Sequence, residues 1–161
     1  MSFEPSTSRL WRTLPREVRL EAARAFWNRP GEEAAALAAQ EIVKLLRVRP
    51  QAIHKVPTEQ RVRALAGLAA PAEALAEALV LALHVGARRD LLAAFLDALG
   101  IAHEEGMLAD DAEFPPPDAA AARGALEQLA GRFDADAIRV YWNALWLQDR
   151  ERWGALELAA P

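Results

Sequence analysis

Carboxylates and a histidine are concentrated between residues 103 and 113, in a stretch that also contains a glycine. A hard cation needs several oxygen ligands that converge on one point, and a flexible acidic segment can supply them. The spacing matches no EF-hand loop, and His103 lacks the second histidine, one helical turn on, of a zincin-type helix. We therefore expect a solvated acidic loop and no bound metal, with a metal-dependent enzyme as a remote alternative. The side chains concerned are His103, Glu104, Glu105, Asp110, Asp111 and Glu113.

Other catalytic chemistries find little support in the residue types. The chain has no cysteine, which excludes disulfides, thiolate nucleophiles and cysteine-ligated metal centres. Its eight glycines are scattered and form no phosphate-binding loop. His84 lies on a polar helical stripe with Glu73 and Glu77, and no nucleophile stands beside it in the sequence. We predict that the chain is not an enzyme and needs no cofactor, although a bundle can assemble a site from distant helices.

Positive charge is concentrated in the first third of the chain. Residues 1–63 hold 12 Lys/Arg and 7 Asp/Glu, a net charge of +5, whereas residues 64–161 hold 7 and 16, a net charge of -9. One interpretation is that both parts fold together and their charges are solvated. The other is that the basic part presents a face to an acidic partner.

Residues 39–56, AQEIVKLLRVRPQAIHKV, carry apolar side chains at positions that would hold two short helices together. This segment resembles the helix-turn-helix of bacterial DNA-binding proteins. The resemblance implies that the second helix enters the major groove and presents Gln51, His54 and Lys55, while arginines beside it contact phosphates. Those arginines are Arg47, Arg49, Arg61 and Arg63.

The segment departs from the helix-turn-helix pattern at two positions. Arg47 stands at the turn, where the motif commonly has glycine, so it would need a left-handed conformation or a different turn. Pro57 stops the second helix after two turns. Packing of two helices in a bundle is therefore the main interpretation, and DNA binding through residues 39–56 is the alternative.

Aromatic residues lie near the two ends of the chain, with none between Trp27 and Phe95. Near the C-terminus, Trp142 lies on an apolar helical stripe and Trp146 flanks it. These tryptophans either pack on the first helices, with Trp11 and Trp27, as one core wall or form an exposed surface for a partner protein. The candidate interaction residues are Tyr141, Trp142, Trp146 and Trp153, with Arg139 and Arg150 at the rim.

The elements that position these residues are all predicted to be helices. Alanine, leucine, glutamate and arginine dominate, and the few β-branched residues form no alternating run. We predict an all-α, irregular single-domain bundle of seven or eight helices in antiparallel hairpins, without β-sheet, over residues 1–161. An irregular loop is expected at 101–118 and a flexible tail at 150–161. After a short helical turn at 8–12, the eight predicted helices cover about 15–28, 32–47, 50–56, 58–67, 71–86, 91–99, 118–130 and 134–148. The helix over 71–86 is apolar almost all round and is predicted to be central. Thr58, Asp118 and Asp134 are predicted N-caps, and Gly100 is a predicted C-cap.

Location and partners follow from what the sequence lacks. No uncharged apolar stretch approaches the roughly 20 residues of a membrane helix, and residues 1–12 lack a secretory signal pattern. We expect a cytoplasmic protein without membrane partners. Abundant alanine and arginine with sparse lysine is typical of a GC-rich bacterial genome. The function predicted first is a non-catalytic protein–protein interaction or scaffold module, which binds another protein or a second copy of itself.

Overall fold

The computed structural model describes residues 4–154 and 156–157. These residues contain no β-strand, and their β-type pairing is an isolated bridge between Glu104 and Met107. The prediction of an all-α fold without β-sheet is therefore confirmed. In chain order the α-helices are α1 (Thr7–Thr13), α2 (Arg16–Asn28), α3 (Glu32–Leu46), α4 (Thr58–Ala66), α5 (Glu73–Ala82), α6 (Arg89–Leu99), α7 (Ala119–Gln128), α8 (Ala135–Gln148) and α9 (Arg150–Trp153).

Several helix ends are fixed by local hydrogen bonds that the sequence predicts. The carboxylate of Asp118 accepts the backbone N–H of Ala121 at 2.7 Å and begins α7, and Asp134 begins α8 in the same way. Gly100 ends α6 in a left-handed conformation with φ 68°. The N–H of Ile101 then donates to the carbonyl oxygen of Leu96 at 3.0 Å, which satisfies one of the last carbonyls of the helix.

Other helix boundaries differ from the predicted ones. Thr58 does not cap α4, because Pro57 holds the capping position and Thr58 is already helical. The predicted helix over 71–86 is divided: α5 covers Glu73–Ala82, and a π-helical turn continues it over Leu83–Ala87. The segment after α3 is a 3-10 helix, Pro50–Lys55, instead of an α-helix.

Contacts divide the chain into two compact units, Met1–Ala87 and Arg88–Pro161. The proline-rich segment at 114–117 falls inside the second unit. A single domain over residues 1–161 stays a prediction.

In the first unit, α2 packs against α4 and α5, and α5 also packs against α1 and α3. The indole N–H of Trp11 donates to the carbonyl oxygen of Leu68 at 3.0 Å, which joins α1 to the end of α4. As the sequence predicts, α5 is central, although Leu81 on its outer side is 47% exposed. The largest fully buried side chains of this unit are Trp11, Ile42, Val62, Leu65, Leu75, Leu79 and Leu83.

The second unit has a core of its own, in which α6 packs on α7 and α8 packs on α9. Trp153 and Leu156 are buried in this core, so the described part of the tail packs instead of fraying. The prediction of a flexible tail also falls on residues 155 and 158–161, which lie outside the described residues. The buried members of the core are Leu91, Phe95, Ala122, Ala125, Leu126, Leu129, Ile138, Tyr141, Trp153 and Leu156.

No helix in the described part of the chain combines the length and the apolar character that crossing a bilayer requires.

Candidate functional site

Helix α8 positions most of the aromatic residues that the sequence singles out. Asp134 holds the start of the helix, where its carboxylate accepts the N–H groups of Asp136 and Ala137 at 2.7 and 3.3 Å. Successive residues of an α-helix are about 100° apart, so Tyr141 and Trp142 point in different directions. The capped helix therefore holds one ring toward the core and the next toward its edge.

Tyr141 and Trp153 lie inside the second unit. Both rings contact Phe95: Tyr141 packs edge-to-face at a centroid distance of 5.3 Å, and Trp153 is tilted at 5.5 Å. Each is less than a tenth exposed, and burial raises the pKa of the Tyr141 hydroxyl above its usual range. These two residues stabilise the core and present almost no surface to a partner, which removes them from the predicted interaction patch.

Trp142 and Trp146 are half-buried at the edge of the same core. The indole N–H of Trp142 donates to the carbonyl oxygen of Glu157 at 2.7 Å, so the polar edge of this ring is already bonded within the chain. Trp146 carries the guanidinium of Arg150 over its ring, 4.5 Å from the centroid. We call Trp142, Trp146 and Arg150 the Trp146 surface.

Arg139, the other predicted rim residue, forms an ion pair with Asp136 at 2.8 Å on the same helix. Its side chain is 41% exposed, so the pair is solvated and contributes little to stability. The structure thus stacks Arg150 on Trp146, leaves Trp142 half-buried one helical turn before Trp146, and buries the other two aromatic candidates. Arg139 lies on the same face of α8 as Trp142 and Trp146 and pairs with Asp136.

The other interpretation of the sequence is that tryptophans from both ends of the chain form one core wall. These tryptophans lie in different units. Trp11 and Trp27 belong to the first unit, where Trp27 contacts Phe26 at 5.2 Å and carries Arg61 over its ring at 4.8 Å. Trp142 and Trp146 pack against the core of the second unit. Each pair therefore has packing partners within its own unit.

The helix-turn-helix-like segment folds into α3, a turn and the 3-10 helix. Arg47 adopts the left-handed conformation, with φ 52° and ψ 37°, that a non-glycine residue at this turn would need. The 3-10 helix has six residues and ends before Pro57. Ile42 and Val56 are buried, and Leu46, Val48 and Ile53 are partly buried, so these apolar positions serve packing as the sequence predicts.

Lys44 of this segment pairs with Glu41 at 2.9 Å. The polar residues that follow α3 are exposed: Arg47, Arg49, Gln51, His54 and Lys55. Among the residues that the structure describes, none forms an ion pair or hydrogen bond with these side chains. We call Arg47, Arg49, His54 and Lys55 the basic strip.

Two other arginines that the sequence predicts to contact phosphates already have partners within the chain. Arg61 lies against Trp27 and its guanidinium donates to the hydroxyl of Thr58 at 3.1 Å. Arg63 lies 3.7 Å from the carboxylate of Glu59. These two arginines are therefore less available to a phosphate than the members of the basic strip.

The acidic loop begins with an ordered turn built on His103. Its Nε2 lies 2.9 Å from a carboxylate oxygen of Asp97, and its Nδ1 accepts the N–H of Gly106 at 3.0 Å. The contact with Asp97 joins the loop to α6, and the hydrogen bond from Gly106 fixes the turn within the loop. In the described part of the chain, no three His, Asp or Glu side chains are grouped in a way that could hold a metal ion.

His84 is 4% exposed, so it is not at a solvated polar edge as the sequence suggests. Its Nδ1–H donates to the carbonyl oxygen of Val80 at 2.9 Å, one helical turn earlier. The ring lies in the π-helical turn that follows α5. This position is typical of a histidine that serves the packing of its helix.

The partners that fix these side chains are not evident from the sequence. Asp97 precedes His103 by six residues, and Glu157 follows Trp142 by 15, so neither pair shows a helical spacing. The stacking of Arg152 over Phe114 at 4.4 Å joins residues that are even farther apart in the sequence. No local pattern indicates such pairs before the fold is known.

Comparison of the chain with protein-family models, with curated proteins and with solved structures found no match.

Proposed function

We propose that the chain is a non-catalytic helical module that binds another protein through the Trp146 surface. The observation that carries this proposal is the guanidinium of Arg150 lying 4.5 Å above the half-buried ring of Trp146. Tryptophan and arginine are enriched among the residues that dominate binding free energies. A guanidinium already stacked on a ring also has less side-chain freedom to lose on binding.

The chemistry of the surface indicates what the partner presents. The Trp142 indole N–H is bonded to Glu157, so this ring offers apolar area more than a hydrogen-bond donor. Arg150 places positive charge beside the rings. A matching face has an apolar pocket bordered by carboxylates, either on another protein or on a second copy of this chain. The proposal places the module in the bacterial cytoplasm, with no cofactor and no membrane partner.

The test is affinity capture from the protein's own organism at low salt with four baits: wild type, W146A, R150A and R132A. Arg132 is the matched control, because it also lies over an aromatic ring of the second unit, 5.2 Å from the centroid of Phe133. Light scattering of the purified protein measures self-association in parallel. Far-UV circular dichroism and thermal unfolding confirm that each bait is folded.

The proposal predicts that wild type and R132A capture the same protein, or self-associate, while W146A and R150A lose it. Removal of an interface tryptophan costs about 2 kcal/mol or more, roughly a 30-fold loss of affinity. Equal capture by all four baits would assign the interaction to another surface. Absence of both capture and self-association in the wild type would contradict the proposal.

A further inference from the structure

We propose that the basic strip binds the phosphate backbone of double-stranded nucleic acid without reading its sequence. This inference concerns the first unit and does not depend on the proposed function, which involves the second. It rests on the charge, the exposure and the residue types around Arg47, Arg49, His54 and Lys55.

Positive charge is concentrated in and around the basic strip. Residues 42–58 contain four Lys/Arg and no Asp/Glu, in a chain whose formal net charge is -4. One of the four, Lys44, pairs with Glu41 at 2.9 Å, which leaves Arg47, Arg49 and Lys55. Arg47, Arg49 and Lys55 are exposed, and no residue that the structure describes pairs with them. Arg24, another exposed arginine of the first unit, does pair: it lies 2.8 Å from Glu59. The strip therefore presents cationic groups that need not break an internal ion pair before they bind a phosphate.

The short 3-10 helix argues against sequence recognition. A helix-turn-helix protein reads bases with a recognition helix laid in the major groove. Pro50–Lys55 has six residues, about 12 Å at the 3-10 rise of roughly 2 Å per residue, and Pro57 prevents its extension. The strip can bring its charges to phosphates, but it lacks an α-helix to insert. Phosphate contacts position a protein on a duplex and carry no base information.

The residue types favour a duplex over a single strand or a protein. Single-strand binders stack bases on aromatic side chains, and no aromatic residue occurs between Trp27 and Phe95. A protein interface has an apolar, often aromatic, centre. The large apolar side chain exposed in this segment is Leu45, at 50%. Arginine, by contrast, matches phosphate geometry through paired N–H donors.

The test is fluorescence anisotropy of a labelled random-sequence DNA duplex between 50 and 200 mM NaCl. Three phosphate contacts predict a slope of log K against log salt of about -2.7, roughly a 40-fold loss of affinity over this range. A second duplex of unrelated sequence should bind equally. R47Q/R49Q/K55Q should weaken binding at 50 mM salt at least tenfold and flatten the slope.

The matched control is R12Q/R16Q/R29Q, which removes the same charge from exposed arginines of the same unit. It should bind the duplex as the wild type does. The double variant R49Q/K55Q leaves the left-handed turn intact and should show an intermediate loss, which covers the case in which the triple variant does not fold. Polyglutamate at equal charge concentration should not displace the duplex.

Four results would overturn the proposal. These are absence of binding at 50 mM salt, equal loss in the control and strip variants, a strong preference for one duplex sequence, and displacement by polyglutamate. The last would assign the strip to an acidic protein.

Discussion

Gly106 allows the turn at the start of the acidic loop to lie against α6. Its φ is +81°, a conformation that L side chains rarely adopt. A β-carbon at this position would lie 2.8 Å from the carbonyl oxygen of Arg89 and 3.0 Å from the backbone nitrogen of Ala93. Its N–H also donates to His103. Glycine is therefore required here by both backbone conformation and space.

The variant G106A should destabilise the protein by about 2–4 kcal/mol, since it adds left-handed strain and a clash with helix backbone. Gly124 is the matched control: it lies within α7, where an added β-carbon would meet nothing within 4 Å. The variant G124A should raise stability by about 0.5–1 kcal/mol. Urea unfolding measures both, and equal effects of the two substitutions would contradict this account of the turn.

Arg47 is a second position where backbone conformation decides the outcome. Its φ of 52° carries a cost of roughly 1 kcal/mol for a non-glycine residue. The variant R47G should therefore unfold at higher urea concentration than the wild type. Arg49 has φ -72°, so R49G relieves no such strain and should lower stability or leave it unchanged. A loss of stability in R47G would show that the arginine side chain stabilises the turn.

Local rules predicted the residues whose role depends on near neighbours. Asp118, Asp134 and Gly100 have capping roles that act over one to three residues, and the structure confirms them. The roles of Tyr141 and Trp142 could not be separated, because α8 has a wide apolar arc that includes both. Only the position of Phe95, distant in sequence, decides which ring is buried.

At the scale of elements, Glu73 ties the start of α1 to the start of α5. Its carboxylate accepts the backbone N–H groups of Thr7 and Ser8. The hydroxyl of Ser8 donates to the carbonyl oxygen of Pro71 at 2.8 Å, which strengthens the same junction. Partial burial raises the pKa of Glu73. The hydrogen bonds from Ser8 and Thr7 lower this pKa by more than burial raises it, so the net shift is downward.

The variant E73A should lose about 1–2 kcal/mol of stability at pH 7, because two N–H groups lose a charged acceptor. A lowered folded-state pKa means that this contribution is present above the ordinary value of 4.5 and is lost as the pH falls through the folded value. The difference from wild type should therefore shrink near pH 3.

Urea unfolding of wild type, E73A and E77A at both pH values tests this. Glu77 is exposed on the same helix, so E77A controls for the loss of a surface carboxylate. A difference between wild type and E73A that is the same at both pH values would show that the Glu73 charge does not hold the junction.

Helix positions were predictable from proline, glycine and capping residues, whereas the type of helical turn was not. Proline-bounded segments appear where expected, but Pro50–Lys55 is a 3-10 helix and Leu83–Ala87 a π-helical turn. Such turns depend on packing; for example, Gly86 approaches Ala25 so closely that a β-carbon would lie 3.0 Å from its side chain. The periodicity of the sequence does not predict the contact between Gly86 and Ala25.

At the scale of the whole molecule, charge follows the two units. Residues 1–87 hold 12 Lys/Arg and 9 Asp/Glu, a net charge of +3, and residues 88–161 hold 7 and 14, a net charge of -7. The asymmetry seen in the sequence thus belongs to separate units, each with its own core. The two proposed surfaces, basic and aromatic, lie in the first and second units respectively.

The proposal of a protein-binding module is tested most directly by the dissociation constants of wild type, W146A and R132A for the captured partner. The account predicts that W146A binds at least 30-fold more weakly, about 2 kcal/mol, while R132A binds as the wild type does. Binding by folded W146A within about twofold of the wild-type affinity would contradict it.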